Sequence, residues 1–411
     1  MLGRVRAAGP PWSVRFWKGC AMSSATDLYD PLDAQVLRDP YPVLAELRRT
    51  TPVFWHEGMG SWALTRHADC VRVLRDHALF ARDPRRTGGS VAEPSLSVQT
   101  LDPPQQSRVR SLFMTALRAQ DLGAVEERAR RLVAGRLGVL AAGGREFDVV
   151  ADLAVPLSVA VVADLLGVEP PPYAEFAEVS DAIMRSMDGE LDPSLVEPGR
   201  IARQKLSDLV DGWFAASSRP GLLDHVRQAA GPDADSLARL YVRNTARVMF
   251  QGGYSTMAAA VGNTVAVLLD RPDALEQMRD PARLATGVDE LVRFDGPVQG
   301  TTRVAVRACR IGGVDVAAGQ KVVALFAAAN RDPDAFPGAD RLVLERTPNA
   351  HLGFGWGPHA CIGTTVAQAG LRALVTALAS CPAQLVAAGE GVRRRTATMR
   401  AYQTLPARLH R

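Results

Sequence analysis

Apolar and polar positions along the chain predict a mainly helical protein that also contains small β-sheets. Val43, Leu44 and Leu47 recur at helical spacing and predict a short helix, whereas residues 51–66 alternate between apolar and polar side chains and predict two strands. From residue 104 to about residue 269 the pattern is mainly helical, with breaks at clusters of glycine and proline.

The most distinctive predicted element is a long helix in the middle of the chain. Residues 237–269 contain no proline and are apolar almost throughout. They predict one helix of about 30 residues, roughly 45 to 50 Å long, that crosses the molecule. Few globular folds need such a helix.

The last third of the chain mixes helices with short strands. The pattern predicts a short helix at 288–294, strands at 301–306 and 321–325, an irregular segment at 330–357, a helix at 362–380 and strands at the C-terminus. We find no internal repeat and no linker with a shift in composition. The sequence therefore predicts a mainly α fold with small sheets (α+β), in one domain over residues 23–411.

Composition and charge argue against several classes of protein. The chain has 411 residues, of which 47% are hydrophobic and 22% charged, the balance of an ordinary globular protein. Its 48 basic and 44 acidic residues are interleaved and give a formal net charge of +4, so nucleic-acid binding receives no support. Because no stretch approaches the roughly 20 apolar residues that a membrane helix requires, we expect no membrane span.

The cysteines and the N-terminal segment bear on the cellular location of the protein. The five cysteines are far apart, odd in number and free of any Cys-x-x-Cys pair, so they indicate neither a disulfide framework nor a zinc site and favour a cytoplasmic location. Residues 1–22 contain no acid and end at Met22, where Met-Ser-Ser reads like a second start. They predict a disordered tail or an upstream start codon, with an organelle transit peptide as the alternative.

One cysteine lies in a glycine-rich turn that immediately precedes a predicted helix. The segment reads Phe354-Gly-Trp-Gly-Pro-His-Ala-Cys361-Ile-Gly363. Backbone N–H groups and the positive end of the helix converge on the sulfur of Cys361, which favours a thiolate. The glycines allow a tight turn against a flat partner, and Phe354 can shield the sulfur from water. For an isolated cysteine, a buried structural role would be the alternative.

This segment resembles the haem loop of the cytochrome P450 family, Phe-Gly-x-Gly-x-His-x-Cys-x-Gly, and every fixed position of that pattern is present at 354–363. The resemblance implies a cytochrome P450 fold, in which the long helix lies over haem b (iron protoporphyrin IX). It also implies that Cys361 is the thiolate ligand of the iron. Thiolate ligation pushes electron density onto haem iron and favours cleavage of the O–O bond.

The resemblance assigns further residues around the haem and behind it. The positions where the family places its propionate ligands are Arg110, Arg303 and His359. Gln106 replaces the usual histidine, so this contact becomes a neutral hydrogen bond or is lost. Glu290, Arg293 and Arg341 would form a buried structural network without a catalytic role, although an i, i+3 pair alone is most often a surface ion pair.

Within the long helix, Gly252-Gly253-Tyr-Ser255-Thr256 matches the kink at which the family binds oxygen. Two glycines cost a helix roughly 1 kcal/mol each relative to alanine, so close approach of a ligand is a better reason for them than chance. The resemblance implies that Thr256 hydrogen-bonds dioxygen and relays protons. Ser255 replaces the acid that ordinarily helps to deliver protons.

The substrate pocket is assigned by region. The resemblance places it among residues 85–101, 173–198, 297–301 and 400–403 and beside the long helix. The individual pocket candidates are Met249, Tyr254 and Val298. For Tyr254, core packing is at least as frequent a reason for an aromatic residue at this spacing.

The resulting interpretation is a haem-thiolate monooxygenase that inserts one oxygen atom from O2 into a small organic molecule, by hydroxylation or epoxidation, in secondary metabolism. Since no reductase segment is joined to it, the resemblance implies electrons from NAD(P)H through a separate ferredoxin and ferredoxin reductase. Two alternatives stay open. One is a non-oxidising haem protein that binds a ligand or a biosynthetic partner, motivated by Ser255 and Gln106. The other is a cytochrome P450 that performs oxidative coupling or peroxide-driven oxidation.

Overall fold

The computed structural model describes residues 29–216, 219–230 and 236–410, so the predicted tail at 1–22 lies outside the described residues. The helices are α1 (Ala34–Arg38), α2 (Tyr41–Thr50), α3 (His67–Arg75), α4 (Gln105–Arg118), α5 (Leu122–Gly143), α6 (Val155–Leu166), α7 (Tyr173–Arg185), α8 (Val196–Ala216), α9 (Leu222–Ala230), α10 (Ser236–Asp270), α11 (Pro272–Gln277), α12 (Pro281–Asp295), α13 (Phe326–Ala329) and α14 (Thr364–Ala379). A π-helical turn, Val150–Ala154, leads into α6.

The strands form small sheets at the edge of the helical body. They are β1 (Val53–His56), β2 (Ser61–Leu64), β3 (Phe80–Ala81), β4 (Phe147–Asp148), β5 (Gly300–Ala305), β6 (Cys309–Ile311), β7 (Val314–Val316), β8 (Lys321–Leu325), β9 (Gln384–Ala387), β10 (Val392–Arg393), β11 (Tyr402–Thr404) and β12 (Pro406–His410). The largest sheet has the order β1-β2-β8-β5-β3, in which β2 and β8 run parallel and the other pairs antiparallel. The sheet predicted near the N-terminus therefore also takes strands from the last third of the chain.

The long helix α10 is the centre of the fold. It has 35 residues, which confirms the helix predicted at 237–269. It packs against α6, α12 and α14, and its Val261 and Val265 are fully buried in the largest apolar cluster. Although it is long and apolar, none of the helices in the described ranges meets the requirements for crossing a membrane.

The segment between α13 and α14 carries the cysteine loop and is irregular, as predicted for 330–357. Earlier in the chain, α12 is longer than the predicted 288–294 because it begins at Pro281. There the Asp280 carboxylate caps the helix by accepting from the N–H of Ala282 at 3.0 Å. Asp followed by Pro is a helix-start signal, since proline suits the first helical position.

Candidate active site

The cysteine loop is held by two glycines and by backbone hydrogen bonds. Gly355 and Gly357 have φ angles of 69° and 72°, which glycine adopts without steric cost. The Cys361 N–H donates to the Phe354 carbonyl at 2.8 Å and closes the turn. A Cβ at Gly357 would also lie 2.5 Å from the Leu74 carbonyl oxygen of α3. The turn therefore fixes the sulfur of Cys361 against the start of α14.

Cys361 is a free cysteine that lies in a recess. Solvent reaches its side chain, but the surrounding protein atoms enclose it on most sides. This enclosure raises its pKa, while the Gly363 N–H, the Thr364 hydroxyl and the charge of Arg110 act in the opposite direction without overcoming it. Burial therefore opposes the groups that favour a thiolate. A further positive charge, such as that of a metal ion, would favour deprotonation of the thiol.

Two buried guanidinium groups lie beside the loop and share one neutral acceptor. Arg303, 3% exposed, and the partly buried Arg82 both donate to the hydroxyl of Thr301. Burial lowers the pKa of Arg303 to about 9, and the charge of Arg82 acts in the same direction. Burial also lowers the pKa of Arg82. The charge of Asp102 opposes both shifts, but neither guanidinium donates to a carboxylate among the described residues.

Asp102 is the carboxylate next to these arginines. It accepts from the Arg86 guanidinium at 3.0 Å, from His359 Nε2 at 3.2 Å and from the backbone N–H groups of Arg82 and Asp83. Burial alone would raise its pKa, but the hydrogen bonds from His359 and the backbone hold that pKa well below the usual range. Burial lowers the pKa of His359 despite this contact. Asp102 is thus an anion that orients His359.

Helix α4 contributes Gln106 and Arg110, which lie one turn apart. The Gln106 side chain is 2% exposed, and its Nε2 donates to the Pro358 carbonyl at 2.8 Å. At least one donor of Gln106 therefore holds the cysteine loop, and the expected contact with a cofactor stays a prediction. Burial lowers the pKa of Arg110, whereas the charge of an ionised Cys361 would raise it.

These residues fit a haem. A haem brings two propionate carboxylates and an iron that accepts one further ligand from the protein, so it matches a cationic cluster beside a single thiol. The propionates would add carboxylate acceptors for the guanidinium groups of Arg82 and Arg303, and the iron would supply a positive charge that favours the thiolate of Cys361. The fit rests on the shared hydroxyl of Thr301 and on the recess at the sulfur.

On the long helix α10, the two adjacent glycines have different surroundings. A Cβ at Gly253 would lie 2.9 Å from a methyl group of Val162 on α6, whereas a Cβ at Gly252 would meet nothing within 4 Å. Gly253 therefore permits helix packing, and Gly252 borders open space. The Thr256 hydroxyl donates to the Gly252 carbonyl and the Ser255 hydroxyl to the carbonyl of Gln251 at 2.8 Å. Both hydroxyl oxygens keep lone pairs that can accept a hydrogen bond.

The three pocket candidates have different environments. Tyr254 is 6% exposed and packs edge-on against Phe176 of α7 at a centroid distance of 4.7 Å. This favours core packing, the alternative given for it from the sequence. Met249 packs against the same core, and Val298 forms an isolated bridge with Met399 beside a small apolar cluster.

The structural network was correctly assigned to Glu290 and Arg293 but not to Arg341. Glu290 and Arg293 are buried and form two hydrogen bonds of 2.7 and 2.8 Å. The side chain of Arg341 is exposed, and only its carbonyl takes part, by accepting from Arg293. The third side chain is Arg346, whose Nε donates to Glu290 at 3.0 Å. The side chain of Arg341 thus faces solvent, whereas that of Arg346, five residues later, faces the buried Glu290.

Reasoning from the sequence also missed Arg82 and Asp102. Asp102 opens the Asp-Pro-Pro that precedes α4, and its position before a helix that carries two assigned residues was a usable signal. Arg82 had no such signal, because the pairing of β3 with β5 is what brings it next to Arg303.

Comparisons with known proteins identify the family to which this chain belongs. The family model for cytochrome P450 matches residues 284–380. Linalool 8-monooxygenase of Pseudomonas putida is 30% identical over 86% of this chain and 91% of its own length. Nocardicin C N-oxygenase of Nocardia uniformis subsp. tsuyamanensis is 32% identical over 85% of this chain and 89% of its own length. The crystal structure of CalO2 has a TM-score of 0.82 at 30% identity and covers 93% of this chain and 98% of its own.

Identity of about 30% over most of both chains, together with the same fold, establishes the family. The predicted fold class is thereby confirmed, as is the predicted class of enzyme. The family uses haem and O2, acts on small molecules and receives electrons from redox partners. The chain belongs to the cytochrome P450 family and is a monooxygenase of the bacterial type.

Proposed function

We propose that Cys361 ligates the iron of haem b and that residues 23–411 form one catalytic domain around it. The observation that carries the proposal is the recessed thiol of Cys361 next to Arg82 and Arg303, whose guanidinium groups both donate to the neutral hydroxyl of Thr301. Arg82, Arg110 and Arg303 would hold the propionates, with His359 oriented toward them by Asp102. Gln106 would steady the loop from behind.

When bound, the haem supplies the iron at which O2 is activated. The chain supplies the surroundings. Phe354 would shield the sulfur of Cys361 from water, and Gly252 would leave room for a bound ligand because it carries no side chain. The hydroxyl of Thr256, one turn after Gly252, would accept and pass on a proton at this opening.

Proton delivery is the feature in which this chain departs from its family. Ser255 can relay protons only through water, unless a substrate hydroxyl or carboxyl takes the part of the missing acid or the reaction needs fewer protons. Ser255→Asp separates these cases when electron use and product are measured together. A higher yield of product per electron would support a weakened relay, and loss of product would support a substrate-assisted one.

For electron supply, we propose an acidic ferredoxin and an NAD(P)H-dependent ferredoxin reductase. Arg72 and Arg75 are exposed on α3, the helix whose Leu74 carbonyl lies against Gly357 of the cysteine loop. Positive charge at this face would steer an acidic partner toward the sulfur side of the haem. Arg72→Glu with Arg75→Glu should raise the ferredoxin concentration needed for half-maximal reduction, and the effect should shrink at high salt.

The substrate is proposed to be a small organic molecule of secondary metabolism. The named relatives include a linalool monooxygenase, a mycinamicin IV hydroxylase/epoxidase and an erythromycin C-12 hydroxylase. The test is turnover of a compound panel with surrogate ferredoxin and reductase. Product that depends on O2 and NAD(P)H supports the proposal. A normal haem-thiolate spectrum without product from either O2 or peroxide would support the non-oxidising alternative.

A further inference from the structure

Three arginines lie between α8 and the first half of α10, and one of the three pairs with a carboxylate. Arg203 lies on α8, and Arg243 and Arg247 lie on α10. Arg243 is 3.3 Å from Asp211, while its Nε is buried without a hydrogen-bond partner. The other two arginines have no carboxylate partner among the described residues.

The hydrogen bonds of Arg247 and Arg203 go to neutral oxygens. Arg247 is 4% exposed and donates to the Ser207 hydroxyl at 3.1 Å and to the carbonyl of Pro94. Arg203 donates to the Ser186 hydroxyl at 2.7 Å. A buried guanidinium that lacks an anionic partner costs free energy, which an incoming anion would recover.

The electrostatics agree with this geometry. Burial lowers the pKa of Arg247 to about 10, and the charges of Arg203 and Arg243 act in the same direction. Burial also lowers the pKa of Arg203. The group therefore carries mutual repulsion that a bound carboxylate would relieve.

The cluster lies where several segments assigned to the substrate pocket converge. Pro94 belongs to the segment 85–101, Ser186 to the segment 173–198, and Arg247 to the long helix. Arg247 precedes Thr256 by nine residues, which is roughly 13 Å along a helix axis. Gly252 follows Arg247 by five residues, roughly 7.5 Å along the axis, so an anion held here would lie more than one helical turn from the opening beside Gly252.

We propose that Arg203 and Arg247 bind a carboxylate at one end of an elongated substrate, while the other end lies at the opening beside Gly252. The planar fork of a guanidinium suits a carboxylate, because two parallel N–H groups meet its two oxygens. That the bound molecule is a substrate rests on the proposed function, whereas binding of the carboxylate does not.

The test measures binding of dodecanoate and of 1-dodecanol to the haem-loaded protein by calorimetry, with thermal unfolding as a second readout. These probes share a chain length and differ in charge. We expect the wild type to bind dodecanoate at least about tenfold more tightly than the alcohol. Arg247→Gln and Arg203→Gln should each remove most of this preference, and Arg247→Lys should retain part of it.

Arg136→Gln is the matched control, because Arg136 is also partly buried and donates to a backbone carbonyl, that of Asp152, away from the pocket. It should keep the full preference. Equal binding of acid and alcohol by the wild type, an unchanged preference in both cluster variants, or an equal loss in Arg136→Gln would each overturn the inference. If Arg247→Gln fails to fold, Arg203→Gln decides, since Arg203 is only half-buried.

The two proposals fail in different ways. A haem-thiolate spectrum in protein without a preference for dodecanoate would reject the carboxylate site alone. An absent thiolate spectrum together with a clear preference for dodecanoate would reject the proposed iron ligand alone.

Discussion

Gly252 and Gly253 are neighbours in the chain, yet substitution should have opposite effects at the two positions. Gly253→Ala places a methyl group 2.9 Å from Val162, and overpacking of this kind costs about 1 to 3 kcal/mol. Gly252→Ala meets open space and should stabilise the helix by about 1 kcal/mol. Denaturant unfolding of both variants measures the two free energies. Equal effects would contradict the different surroundings assigned to the two glycines.

Arg82 should contribute to haem retention. Arg82→Gln removes one of the two guanidinium groups that share Thr301, so a propionate would lose a charge-assisted hydrogen bond. We expect haem loss to a scavenging protein to accelerate at least about tenfold. Arg108→Gln is the control, because Arg108 is an exposed arginine on α4. It should leave the rate of haem loss unchanged. An unchanged rate in Arg82→Gln would remove it from the proposed site.

At the scale of residues, the sequence identified what sits in a contiguous motif. Cys361, Phe354 and the glycines of the loop could be assigned because their roles depend on neighbours within ten residues. Arg82 could not, because its role depends on strand pairing between distant segments. For Cys361, the helix-end effects that favour a thiolate could be read from the sequence, but the burial that opposes them could not.

At the scale of elements, the buried network joins α12 to the irregular segment that carries the cysteine loop. Removing Arg346 leaves Glu290 with one fewer cationic partner in a dry site, so Arg346→Leu should destabilise the protein by about 3 to 5 kcal/mol. Arg341→Leu should change the free energy of unfolding by less than about 0.5 kcal/mol, because the side chain is exposed. Chemical unfolding compares the pair. A reversed order would restore the original assignment of Arg341.

The helices were easier to predict than the sheets. The helix α10 has a long apolar pattern without proline, so its position was predicted almost to the residue. The strands β5 and β8 were also predicted, but their pairing with β1 and β2 in one sheet was not, because hydrophobic alternation does not specify which strand is the partner. The start of α12 was missed because its first two turns, before residue 288, are less apolar than its buried second half.

At the scale of the whole molecule, His351 should make stability depend on pH. Its side chain is 8% exposed, and burial lowers its pKa from 6.5 to about 4. Between these values the unfolded chain binds a proton that the folded chain does not, so stability rises with pH across this window and falls on acidification. We expect a loss of about 2 kcal/mol from pH 7 to pH 5 through this residue.

The measurement is the free energy of unfolding at both pH values for the wild type and for His351→Gln, which keeps a hydrogen-bond acceptor for the Gly353 N–H. In the variant, the free energy of unfolding should change less between pH 7 and pH 5, because most of the contribution of His351 is removed. The same pH dependence in both proteins would show that other groups, such as His359, are responsible.

The central claim is that Cys361 is the thiolate ligand of a haem iron. It is tested by the absorption spectrum of the reduced, haem-loaded protein with carbon monoxide, for the wild type, Cys361→His and Cys309→Ser. The wild type and Cys309→Ser should show the red-shifted band of thiolate-ligated haem, and Cys361→His should bind haem without that band. Folded, haem-loaded wild type without the band, or the same band in Cys361→His, would contradict the account.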